Sequence, residues 1–119
     1  MQNPHRTHPN RDEGAVALEF VLVAPFLIAL IFAIASFGLY FSKTVDVTST
    51  ARDAARTLAL RGTPTYPAGV TPSGVVTCAP GNTTSNASVT LTSSYTFSIP
   101  FIPLGTKTIT AIGTMRCGG

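Results

Sequence analysis

Residues 14–42 read G-A-V-A-L-E-F-V-L-V-A-P-F-L-I-A-L-I-F-A-I-A-S-F-G-L-Y-F-S, and from Phe20 to Ser42 the chain carries no charge for 23 residues. As an α-helix those residues span about 34 Å at 1.5 Å per residue, enough to cross a hydrocarbon core of about 30 Å. Pro25 falls in the first two turns, where little helix precedes it. In lipid, neighbouring groups satisfy the carbonyl that it frees. The segment divides the chain into four parts: a hydrophilic leader over 1–14, a transmembrane helix over 15–43 ending at Lys43, an amphipathic helix over 44–62, and a Thr-rich β domain over 63–119. The expected fold class is α+β. A single membrane-crossing helix, extended by the amphipathic one, leads into a small three-stranded antiparallel sheet with one disulfide.

Composition agrees with this division. Of 119 residues, 45% are apolar and only 11% charged, whereas about a quarter of a soluble domain is charged. The net charge is +3, but the eight Lys and Arg residues stand singly. A nucleic-acid binder would cluster them on a stripe with aromatics interleaved, so no nucleic-acid partner is expected. Catalysis finds no foothold either. Both histidines, His5 and His8, lie in the leader, and beyond the apolar span only Asp46 and Asp53 are carboxylates. No His-based triad, glycine-rich phosphate loop or metal cluster is formed, so neither enzyme activity nor a cofactor is expected.

The leader admits two readings. A removed secretory signal would use the small-x-small site Ala33-Ile34-Ala35. Against it, the apolar run continues past Ala35, Arg6 and Arg11 are offset by Asp12 and Glu13, and Glu19 stands against the apolar run. The other reading cuts after Gly14, before the small residue Ala15, and keeps the helix. Gly14 suits a cleavage point, since an extended residue without a side chain lets the backbone enter a protease cleft. Glu19 then becomes the fifth residue. This pattern resembles a type IV-pilin-type leader, which implies processing on the cytoplasmic side by a membrane-embedded prepilin peptidase.

The resemblance extends further. E-G-A-V-A-L-E-F-V-L-V-A-P-F-L-I-A-L-I-F-A-I-A-S-F-G-L-Y-F, residues 13–41, and S-T-A-R-D-A-A-R-T-L-A-L-R-G, residues 49–62, resemble the TadE-like family, minor pseudopilins of tight-adherence (Flp) pili. One departure is visible: family members often carry a second acid just before F-G, where this chain has Ser36 before Phe37-Gly38. The resemblance implies a non-enzymatic subunit, assembled through its apolar helix with other pilin and pseudopilin subunits on an inner-membrane assembly platform. It also implies a single-pass protein of the bacterial cytoplasmic membrane, with its N-terminus in the cytoplasm and its C-terminal domain outside. Surface adhesion and pilus biogenesis are the associated roles. Two other readings share the anchor: an extracytoplasmic binding or adhesion module that never polymerises, and a type II secretion pseudopilin.

Glu19 has a physical role in the pilin reading. A lone charge within a membrane helix costs ~2.5–3.5 kcal/mol at the centre on insertion scales and less near the end. Cleavage after Gly14 creates an α-amino group on Ala15, one turn from Glu19. In a staggered bundle the Glu19 of one subunit can meet the Ala15 amine of the next.

Beyond Lys43, Val47, Ala51, Ala54 and Leu58 recur at helical spacing and define one face. Arg52 and Arg56 lie i,i+4 on another, with Asp53 i,i+3 from Arg56. That face is either solvated or, as the pilin reading implies, in contact with neighbouring subunits or lipid head groups. Thr44, Val45 and Thr48 are poor helix formers and leave room for a break. Gly62 suits a left-handed C-cap, and Pro64 cannot continue the helix. Residues 63–74 read as a linker. The sequence predicts strands over 74–78, 87–99 and 106–117, with Val89, Leu91, Tyr95, Phe97 and Ile99 on one face and an apolar turn at 100–105.

A sheet domain of ~57 residues is marginal alone. Cys78 and Cys117 are the only cysteines, each at the end of an expected strand. Paired, they close a loop of about 40 residues worth roughly 4 kcal/mol on the chain-entropy estimate. Pairing requires an oxidising compartment; the alternative is two buried thiols.

Overall fold

A computed structural model describes residues 11–97 and 103–118. One helix, α1, runs from Arg11 to Ala59 and is followed by strands β1 (Val70–Val76), β2 (Asn86–Thr96) and β3 (Thr106–Arg116). The strands form a single antiparallel sheet in the order β1-β2-β3.

No break separates the apolar and amphipathic parts of α1, which also runs through Pro25. The hydroxyls that favour a break are absorbed by the helix. Thr44 Oγ1 donates to the Tyr40 carbonyl at 2.9 Å, Thr48 Oγ1 to Thr44 at 2.8 Å, and Thr50 Oγ1 to Asp46 at 2.8 Å. Each bond runs back along its own helix, so these side chains do not compete for the helix's N–H groups. Packing settles the rest, because Val47, Ala51, Ala54 and Leu58 are all buried, together with Ala55 and Ala59. The core of the β domain is therefore shared with the second half of α1. Alanines on the helix let it lie close to the sheet.

The helix ends in a Schellman motif. Gly62 N–H donates to the Thr57 carbonyl at 2.8 Å and Arg61 N–H to Leu58 at 3.1 Å. The left-handed residue is Arg61, with φ of 61°, and not Gly62. What Gly62 supplies is room, since a β-carbon there would stand 2.8 Å from Thr57 Cγ2.

β2 and β3 pair without interruption from Asn86↔Arg116 to Thr96↔Thr106. Ala87, Val89, Leu91 and Ser93 of β2 face inward, as do Ile109 and Ala111 of β3. The buried Ser93 hydroxyl donates to the Gly69 carbonyl at 3.0 Å. β1 begins at Val70, inside the stretch expected to be linker, and ends two residues before Cys78. Pro72 falls within the stretch that reads as linker, and Gly74 at the start of the expected strand. Both are tolerated because β1 is an edge strand, with a register shift between Ser73 and Val76 and a positive φ at Gly74. Ile99 and the first residues of the expected apolar turn lie outside the described residues, as do His5 and His8.

Candidate functional site

Three groups of residues singled out in the sequence occupy three separate places. Gly14, Ala15 and Glu19 lie in the first turns of α1 and are exposed. Gly14 is helical here rather than extended. Among the described residues, a β-carbon at Gly14 would meet nothing within 4 Å. Ala15 and Glu19, four residues apart, share one face of the tip.

From Val16 to Phe41 the helix shows large apolar side chains on every side. Gly14–Ala59 is long and apolar enough to cross a membrane, and its most apolar stretch is almost wholly exposed. A helix apolar all round requires an apolar surround, either lipid or other helices. It is a candidate membrane anchor.

Arg52 and Arg56 stand about 50 Å further along the helix axis from Glu19, at 1.5 Å per residue. Both are exposed, as is Asp53. Among the described residues none of the three forms a salt bridge. The expected Asp53–Arg56 ion pair is not made.

Cys78 and Cys117 form a disulfide with a Cα–Cα distance of 5.7 Å, within the usual range for such bonds. It joins the loop after β1 to the residue following β3, below the end of α1. There Cys117 N–H donates to the Ser85 carbonyl at 2.9 Å. Asn82 Oδ1 accepts from the N–H groups of Thr84 and Ser85 at 2.9 and 3.1 Å, so this side chain shapes the loop that presents the bridge.

One grouping was not legible in the sequence. Tyr40 of α1 packs on Tyr95 and Phe97, with ring centroids 5.6 and 5.2 Å apart, and those two rings meet edge to face at 5.1 Å. Tyr95 and Phe97 read as a sheet face and Tyr40 as one more residue of the apolar run. No periodicity links residues 55 positions apart.

A family model described as TadE-like protein matches residues 14–56, about a third of the chain, from Gly14 to Arg56. No curated protein and no solved structure matches the chain at a significant level. The matched part lies within α1.

Proposed function

We propose that the chain is a minor pilin or pseudopilin subunit of a bacterial tight-adherence pilus. The observation that carries this reading is the helix matched by the TadE-like model, whose all-round apolar surface ends at a tip holding Gly14, Ala15 and Glu19. Prepilin peptidase cuts after Gly14, leaving an amine on Ala15 beside the Glu19 carboxylate. The apolar helix then leaves the bilayer and packs against other pilin and pseudopilin helices on the inner-membrane assembly platform. Transfer from lipid to helix neighbours keeps the same side chains away from water, so it brings little hydrophobic penalty or gain. Van der Waals packing and polar pairing therefore decide association. Pairing of Glu19 with the next subunit's Ala15 amine supplies the polar part. Arg52 and Arg56, on the face turned away from the sheet, contact neighbouring subunits or lipid head groups.

The disulfide supports a β domain outside the cytoplasm, since such bonds persist in oxidising compartments. The N-terminus is then cytoplasmic and the protein has no enzymatic role. Intact-mass measurement of the protein from cells containing the peptidase tests the reading. A chain beginning at Ala15 is expected. Retention of Met1 would sink the pilin reading in favour of an anchored binding or adhesion module that does not polymerise.

A further inference from the structure

We propose that the β domain has its own contact with the bilayer: the end of the sheet carrying Tyr95, Phe97 and Leu104 sits in the outer membrane–water interface. This rests on the reading of Phe20–Ser42 as the membrane-crossing span.

The depth of the sheet along α1 is set by two contacts. At one end, Gly113 lies against the Ala51 carbonyl, and Gly113 pairs with Val89. At the other, Phe97 lies against Tyr40. From Val89 through β2 to Phe97, just after it, the chain therefore runs towards the N-terminal end of the helix, over about 16 Å of helix axis. Tyr40 is itself inside the uncharged span. Tyr40 lies about 3 Å inside the end of the span at Ser42. If that span crosses a bilayer, the end of the sheet overlaps it.

The side chains at this end suit the interface. Tyr rings sit where an apolar body meets water at the head groups, and lysines extend their ammonium groups to lipid phosphates. Lys107 is the direct cross-strand partner of Tyr95, and both its neighbours on β3 are threonines. Phe97 N–H donates to the Gly105 carbonyl at 3.2 Å, closing the sheet at that level. Leu104, the residue before Gly105, lies at the same end of the sheet and is half exposed. In water an exposed leucine next to a ring cluster gains nothing. In the interface it adds buried apolar area to that of the anchor. The partner is the lipid bilayer, because the patch continues a surface that is already in it.

The chain contains no tryptophan, so single-tryptophan variants report depth directly. The full chain is reconstituted into phosphatidylcholine–phosphatidylglycerol vesicles, with brominated phosphatidylcholine as lipid-side quencher and iodide as aqueous quencher. Phe26→Trp marks the hydrocarbon, and Ile112→Trp marks the outward face of the sheet. Leu104→Trp is expected to be quenched by brominated lipid and to show about threefold less iodide quenching than Ile112→Trp, as an interfacial residue should. Quenching of Leu104→Trp by iodide as strong as that of Ile112→Trp, with Phe26→Trp still quenched by lipid, overturns the interfacial seat alone. Absence of lipid quenching at Phe26→Trp overturns the membrane span and the proposal with it.

Discussion

Gly113 of β3 and Ala51 of α1 meet backbone to backbone: a β-carbon on Gly113 would collide with the Ala51 carbonyl and lie 3.1 Å from the Arg52 nitrogen. No side-chain rotation relieves such a contact, so helix and sheet approach only as closely as this glycine allows. Gly113→Ala is expected to destabilise the β domain by about 3 kcal/mol, the upper range for overpacking. That lowers the melting temperature by about 12–24 °C. Ile112→Thr, next to it but facing outward, is expected to stay within about 0.5 kcal/mol of the parent. Thermal unfolding in detergent micelles, followed by near-ultraviolet circular dichroism, compares the two.

The disulfide closes a loop with a sequence separation of 39. Its loss through Cys78→Ser with Cys117→Ser is expected to cost about 4 kcal/mol on the chain-entropy estimate, most of the stability of a domain this small. Limited proteolysis reads the outcome. The β domain of the double variant should be digested while the segment within the micelle survives. Equal resistance of both proteins would show that the helix–sheet core suffices.

At the end of α1, Arg61 holds a left-handed conformation that glycine adopts without strain. Arg61→Gly is therefore expected to raise stability by up to about 1 kcal/mol. Gly62→Ala is expected to lower it, because the new methyl meets Thr57 Cγ2. Opposite signs at adjacent positions are the signature of a Schellman motif with its left-handed residue at 61. Two destabilising results would refute that assignment.

Glu19 is exposed near the start of α1 and makes no side-chain hydrogen bond among the described residues. Glu19→Gln and Glu19→Ala should thus leave folding and cleavage after Gly14 unchanged while reducing incorporation into pili. Immunoblots of sheared pili against whole cells measure this. Incorporation at the parental level would remove the proposed pairing with the Ala15 amine.

Much of this fold is readable in one dimension because its signals are local. An uncharged run of 23 residues, the alternation in 87–97, and Val47, Ala51, Ala54 and Leu58 at helical spacing each declare an element and its buried face. Where local preference was weak, tertiary contacts overrode it. Thr44 and Thr48 bond back to their own helix, and packing on the sheet keeps that helix unbroken. Pro72 and Gly74 discourage a strand by composition, yet the edge of the sheet accommodates one with a bulge. The left-handed conformation falls on Arg61 because the Schellman hydrogen bonds, formed around the last turn, place it one residue before the glycine.

The sequence by itself determined the candidate anchor, the two ends of the disulfide and the acid at the helix tip. These depend on length, hydropathy and residue chemistry, which are properties of the chain and not of its path. Only the tertiary structure decided how deep the sheet sits along the helix. That depth is set by Gly113 on Ala51 and by Tyr40 against Tyr95 and Phe97, pairs separated by more than fifty residues. Contacts of that range arise from the geometry of packed backbones, and no periodicity in the sequence records them.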